Sequence, residues 1–277
     1  MKSLLLTLII FVSSAQLFLA QAQEVVSPSP TDEVAAAILQ KQRLDEEIRL
    51  LNETYRGQLT EYRTAEKAFQ IARDQYQQLQ TLASINEVTE AARQVMKLRG
   101  QVLLTYFELL RVRLIAAEGI ELSLKEPLLP KIEQRKNWLQ QEQQLIAAAN
   151  DREQFNTLAD AFSEQLPPLQ ATSQEAITLL TVGKLQDVFD RLALIGEDLT
   201  KTEASNSALV DSRAMRETKR ATEEVRVSFQ TIWDELRRNI QNDNISNFYT
   251  NLSKTLNPVY SNLNKLAAFL AELLRML

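Results

Sequence analysis

Residues Tyr55–Tyr76 read YRGQLTEYRTAEKAFQIARDQY, and the aromatic residues Tyr55, Tyr62, Phe69 and Tyr76 stand seven apart. Working outward, Ile48 and Ala83 continue that series, while Leu51, Gln58, Ala65, Ala72 and Leu79 fall three residues later each time. A 3–4 alternation held over five heptads is the period of a left-handed coiled coil. The text also repeats weakly, as YRGQLTE, YRTAEKA, FQIARDQ and YQQLQTL. Large rings alternate with the small Ala65 and Ala72, so a partner helix is expected to come close at the alanines while the rings lie across it. A ladder of rings could instead hold a ligand such as a glycan. The unbroken period favours a packed seam.

Composition points the same way. Five glycines in 277 residues lie far below the usual share of about 7%. No Asn-Gly or Asp-Gly pair occurs to turn a hairpin. Ala, Leu, Gln, Glu, Arg and Lys dominate, and these are the strong helix formers. The expected fold class is all-α: an elongated antiparallel helical bundle or coiled coil with long helices and a middle set of shorter helices.

The N-terminus reads as a secretory signal peptide over residues 1–22. Lys2 gives a positive start, Leu4 to Val12 is apolar apart from Thr7, and Ala20-Gln21-Ala22 offers small residues for cleavage. An uncleaved anchor over residues 3–20 is the competing reading, which Ser13, Ser14 and Gln16 weaken. The chain is therefore expected to be exported: extracellular, periplasmic or at the cell surface. Cleavage would remove one lysine and leave 30 basic against 36 acidic residues, a net charge of −6. With no cysteine, an exported chain must draw its stability from a core and not from disulfides. The mildly acidic balance argues against nucleic acid as a partner, because phosphate binding needs concentrated positive charge.

Along the chain, residues 23–29 read as a short extended leader, with Ser29 capping a helix that opens at Pro30. Residues 30–122 form a long coiled-coil helical hairpin. Its second arm starts at a capping box, Ser84-Ile85-Asn86-Glu87, and carries the seam Val88, Val95, Val102 and Leu109. Folding back at Ser84 would set Phe69 near Gly100, giving the ring room. Residues 126–203 are expected to be cut into shorter helices by Pro127, Pro130, Pro167-Pro168, Gly183 and Gly196, one of them opening at Asn150-Asp151-Arg152-Glu153. Residues 206–277 form a C-terminal helical pair, broken before it by the polar stretch Ala204–Ala208 and within it by Asn242–Asn247. Val225, Phe229, Ile232 and Leu236 mark the buried side of its first helix. The second keeps the strictest pattern of all: Ile245, Tyr249, Leu252, Leu256, Val259, Leu263, Leu266, Leu270, Leu273 and Leu277. Pro258 inside it should kink or interrupt the helix.

Most catalytic chemistry lacks its parts. Without histidine or cysteine there is no nucleophilic triad of the usual kind, no zinc set and no Glu-x-x-His di-iron site. No phosphate loop, dinucleotide fingerprint or nucleophile elbow occurs, and no calcium loop. Carboxylate pairs remain at Asp45-Glu46-Glu47, Asp187 with Asp190, Glu223-Glu224 and Asp234-Glu235. Each has basic residues at helical spacing and reads as a solvated, ion-paired face. The stripe Arg213, Arg216, Lys219 and Arg220 reads likewise, interleaved with Glu217, Glu223 and Glu224. Arg49, Arg56 and Arg63 share the seven-residue period and flank the seam, where charges set partner choice. Three sequons, at Asn52, Asn244 and Asn251, are assigned no role.

The resulting expectation is a non-enzymatic structural or protein-interaction module of the cell envelope or exterior. It has no cofactor, metal or evident small-molecule substrate. It binds a protein partner, or itself, through the seam of Tyr55, Tyr62, Phe69 and Tyr76. The alternative is a membrane-active or lipid-binding protein that lays residues 245–277 in a membrane surface through Leu263, Leu266, Phe269, Leu270, Leu273, Leu274 and Leu277.

Overall fold

A computed structural model describes residues 30–203 and 213–276. The expected signal peptide, the leader with its Ser29 cap, the Ala204–Ala208 break and Leu277 lie outside the described residues. Among those described there are six helices and no strand: α1 (Pro30–Leu79), α2 (Leu82–Ala116), α3 (Leu122–Ala148), α4 (Arg152–Glu203), α5 (Arg213–Gln241) and α6 (Ile245–Met276). The all-α class is as the composition requires. The chain falls into two units, Met1–Leu39 and Gln40–Leu277. Residues 30–39 of the first form the opening of α1, where Val34, Ile38 and Leu39 are exposed. Everything that follows concerns the second unit.

Side-chain contacts give the topology. Asn52 with Arg113 and Tyr55 with Tyr106 run α1 antiparallel to α2. Gln143 with Lys97 and Arg93 with Ala149 do the same for α2 and α3, as Lys131 with Glu175 and Trp138 with Phe162 do for α3 and α4. Phe189 with Phe229 and Thr200 with Met215 set α5 antiparallel to α4. Gln174 meets Ser246, and Gly196 faces Leu270, so α6 runs parallel to α4. Helix α4 thus packs against α2, α3, α5 and α6, and the principal core surrounds it. A smaller cluster of Met96, Ile146, Ala149, Phe155 and Leu158 closes the end where α3 passes into α4.

The middle of the chain differs from expectation. It holds two long helices, of 27 and 52 residues, that run through the four prolines and both glycines. An interior proline costs about 3 kcal/mol, because it frees the carbonyl four residues back. Those carbonyls belong here to Ser123, Glu126, Ser163 and Glu164, all exposed, so water can satisfy them. Across each helix Leu128, Ile132, Phe162 and Leu169 are buried, and each buried side chain returns about 1.5–3 kcal/mol. Pro258 obeys the same rule: α6 is continuous, and the freed carbonyl lies on exposed Lys254. Gly183 is no break but a point of close approach. A Cβ on Gly119 would overlap the Gly183 carbonyl, and one on Gly183 would overlap Ile120, so both glycines let the α2–α3 connection lie on α4.

The hairpin turn also falls earlier than expected. Thr81, not Ser84, caps α2: its hydroxyl accepts from the Ser84 amide at 3.2 Å, and Ser84 Oγ accepts from the Thr81 amide at 3.0 Å. Ser84 fills the third position of the box in place of Glu87. Gln80 closes α1 in the left-handed region at φ 47°. The shifted turn carries Phe69 away from Gly100. The space beside Gly100 is taken by Gln143, which donates to the Lys97 carbonyl at 3.0 Å. The other two starts fall where expected. Asp151 Oδ1 accepts from the Gln154 amide at the head of α4, and a turn through Asp243, at φ 51°, precedes α6.

Candidate functional site

The seam of α1 lies against the rest of the unit as a half-covered stripe. Ile48, Leu51, Tyr55, Gln58, Tyr62, Ala65, Phe69 and Tyr76 are half-buried, Ala72 is buried, and the residues between them are mostly exposed. The heptad reading therefore places the covered face of α1. Close backbone approach at the alanines does not follow, since α1 joins none of the close helix pairs of the bundle. The rings act as spacers. Tyr55 meets Tyr106 of α2 with centroids 5.9 Å apart, and Tyr106 in turn lies edge-on to Phe107, which is buried. Burial raises the pKa of both Tyr62 and Tyr106, holding the phenols neutral. Arg113 donates to Asn52 Oδ1 at 2.9 Å, while the Asn52 amide donates to the Ile48 carbonyl, so that sequon side chain is engaged at both ends.

Toward the hairpin turn the stripe opens into a groove of about 500 Å³ between α1, α2 and the start of α4. Phe69, Arg73 and Tyr76 come from α1; Val88, Val95, Met96 and Arg99 from α2; Arg152 and Phe155 from α4. The seam reading brought Phe69 and Tyr76 to light. The arginines carried no periodic signal, because they come from three helices far apart in sequence. Arg99 lies on the Phe162 ring, 3.3 Å from its centroid, and its Nε and Nη2 are buried without partners. Desolvation lowers its pKa, opposed by the charge of Glu142. Glu142 is itself buried on α3 with one oxygen unpartnered, and burial raises its pKa.

The carboxylate pairs carry basic neighbours. Arg49 binds both Glu46 and Glu53, Asp187 meets Arg191 at 2.9 Å, Glu223 meets Arg226 at 2.7 Å, and Asp234 meets Arg237 at 2.9 Å. Arg220 of the basic stripe pairs with Glu224. A tighter network ties α2 to α3: Glu108 accepts from Arg111 and Lys136, which hold its carboxyl below the usual range.

The candidate membrane face is largely core. Leu263, Leu266, Leu270 and Leu273 are buried, Phe269 is half-buried against the core, and Leu274 is 54% exposed. Among the described residues no helix is long and apolar enough to cross a membrane. Comparison of the chain with protein-family models, with curated proteins and with solved structures finds no match.

Proposed function

We propose that this is an exported, non-catalytic helical bundle that binds one helix of a protein partner along α1. The observation that carries the reading is the half-covered seam. Every other long helix of the second unit buries an apolar stripe, whereas α1 leaves its stripe only partly covered from Ile48 to Tyr62. Leu50, beside it, is 49% exposed and open to a partner. A second helix would complete the seam at the 3.5-residue period. Arg56 and Arg63 flank the stripe, exposed and without an ion pair among the described residues. The partner helix should therefore carry carboxylates at its edges and small or apolar residues at its centre. The membrane reading is less well supported, because the face it needs is occupied by the core of the bundle.

The test places a photo-cross-linking residue at Leu50 on α1 or at Tyr260 on α6, both exposed, in cells that make the protein. One cross-linked species is expected from position 50, lost in the double variant Arg56→Glu/Arg63→Glu, and none from position 260. The same bands from both positions, or none from either, would sink the proposal. A band at the mass of two chains would make the occupant a second copy.

A further inference from the structure

We infer that the groove between α1, α2 and the head of α4 binds an anionic amphiphile, a molecule with one negatively charged head on an apolar body. This goes beyond the helix-binding role of α1, which concerns the other end of that helix. Three features of the groove set the ligand's chemistry.

Its size comes first. About 500 Å³ lies within the range of small-molecule sites, which hold about 300–1,000 Å³. Charge comes second. Three arginines line the groove, and no aspartate or glutamate does. Among the described residues neither Arg99 nor Arg152 forms an ion pair, and Arg73 meets its neighbour Asp74 at a long 3.4 Å. By contrast, Arg49, Arg111, Arg226 and Arg237 each sit 2.5–2.9 Å from a carboxylate. Glu142 faces Arg99 from α3 behind the wall, yet the lining itself carries three positive charges and no negative one, on a chain whose net charge is −5. That local field favours an anion.

The wall chemistry comes third. Val88, Val95, Met96 and Phe155 line the groove beside the arginines, so an inorganic anion would leave most of the wall uncovered. Arg73 and Arg152 are exposed and stand at the rim, while Arg99 is half-buried behind them. The guanidinium of Arg152 sits 5.7 Å from the Tyr76 ring centroid, and that of Arg99 rests on Phe162. Arg152 Nη1 also donates to the Tyr76 hydroxyl at a long 3.4 Å, which leaves its other N–H groups for a carboxylate or sulfonate oxygen. The head belongs at the rim between Arg73 and Arg152, and the apolar body along Val88, Val95 and Met96.

Calorimetric titration of the full chain tests this with three probes below their aggregation limits: dodecanoate, dodecanol and acetate. Dodecanoate is expected to bind once per chain, at least about tenfold more tightly than dodecanol, with no detectable binding of acetate. Arg73→Gln/Arg152→Gln changes exposed positions only, and should weaken dodecanoate by about tenfold while leaving dodecanol unchanged. Ala92→Trp fills the groove from α2 and should abolish binding of both. Equal affinity for dodecanoate and dodecanol, no binding of dodecanoate, or indifference to the double variant in a chain that melts like the wild type would overturn the inference.

Discussion

Helices α1 and α6 carry the two most regular heptad patterns in the chain, yet the bundle treats them differently. In α6 the stripe from Leu252 to Leu273 is buried, with Leu266 and Leu273 fully enclosed between α4 and α5. In α1 the stripe is only partly covered: Ala72 alone among the described seam residues of the helix is buried, and Leu79 at its end is exposed. The side chains explain the difference. Leucines interdigitate with neighbours on two sides, so α6 approaches both α4 and α5 closely. Tyrosines keep a polar tip that favours contact with water, and rings of that size hold α1 away from α2. A regular seam is thus evidence of a covered face, and the residues that fill it decide whether the cover is complete.

The largest expected effect breaks the α6 side of this comparison. Leu273→Ala or Leu266→Ala removes a fully buried side chain and should cost about 2–5 kcal/mol in denaturant unfolding. Gly119→Ala forces a methyl group onto the Gly183 backbone and should cost about 1–3 kcal/mol, read the same way. Tyr62→Ala on α1 should cost about 1 kcal/mol, since the ring is only partly covered. A loss as large as that of Leu266→Ala would mean that α1 belongs to the core and would end the contrast. Amides of α1 between Leu51 and Tyr62 should likewise exchange well before those of α6 between Leu256 and Leu270.

The two smallest effects sharpen the picture. Burial raises the pKa of Glu142, so the folded state favours its neutral form. That contribution is fully present in acid and is lost as pH rises through the raised value. Glu142→Gln should therefore leave stability near pH 4 almost unchanged and increase it at about pH 7, a difference that melts across that range will show. Gln80→Gly relieves a left-handed residue at the end of α1 and should add about 0.5–1 kcal/mol.

How much could be read beforehand varies by residue. Val225, Phe229, Ile232 and Leu236 were legible because one helix face repeats every three to four residues, and all four are buried. The prolines at 127, 130, 167, 168 and 258 misled, because local cost was weighed without the water-facing side on which each one falls. The cap at Thr81 was missed because a serine at the third position can stand in for glutamate. Of the candidate site, Phe69 and Tyr76 were legible and Arg73, Arg99 and Arg152 were not.

By itself the sequence determined that this chain is helical throughout its described length, which face of α1, α5 and α6 is covered, and where α4 and α6 begin. These follow from composition and period, which act within a few turns of one helix. Tertiary structure alone decided that α4 runs unbroken through the bundle, that α6 lies parallel to it, and that three arginines from α1, α2 and α4 meet in one groove. Such outcomes depend on which helices pack side by side. Packing sums small apolar contributions over distant segments, and no local pattern records that sum.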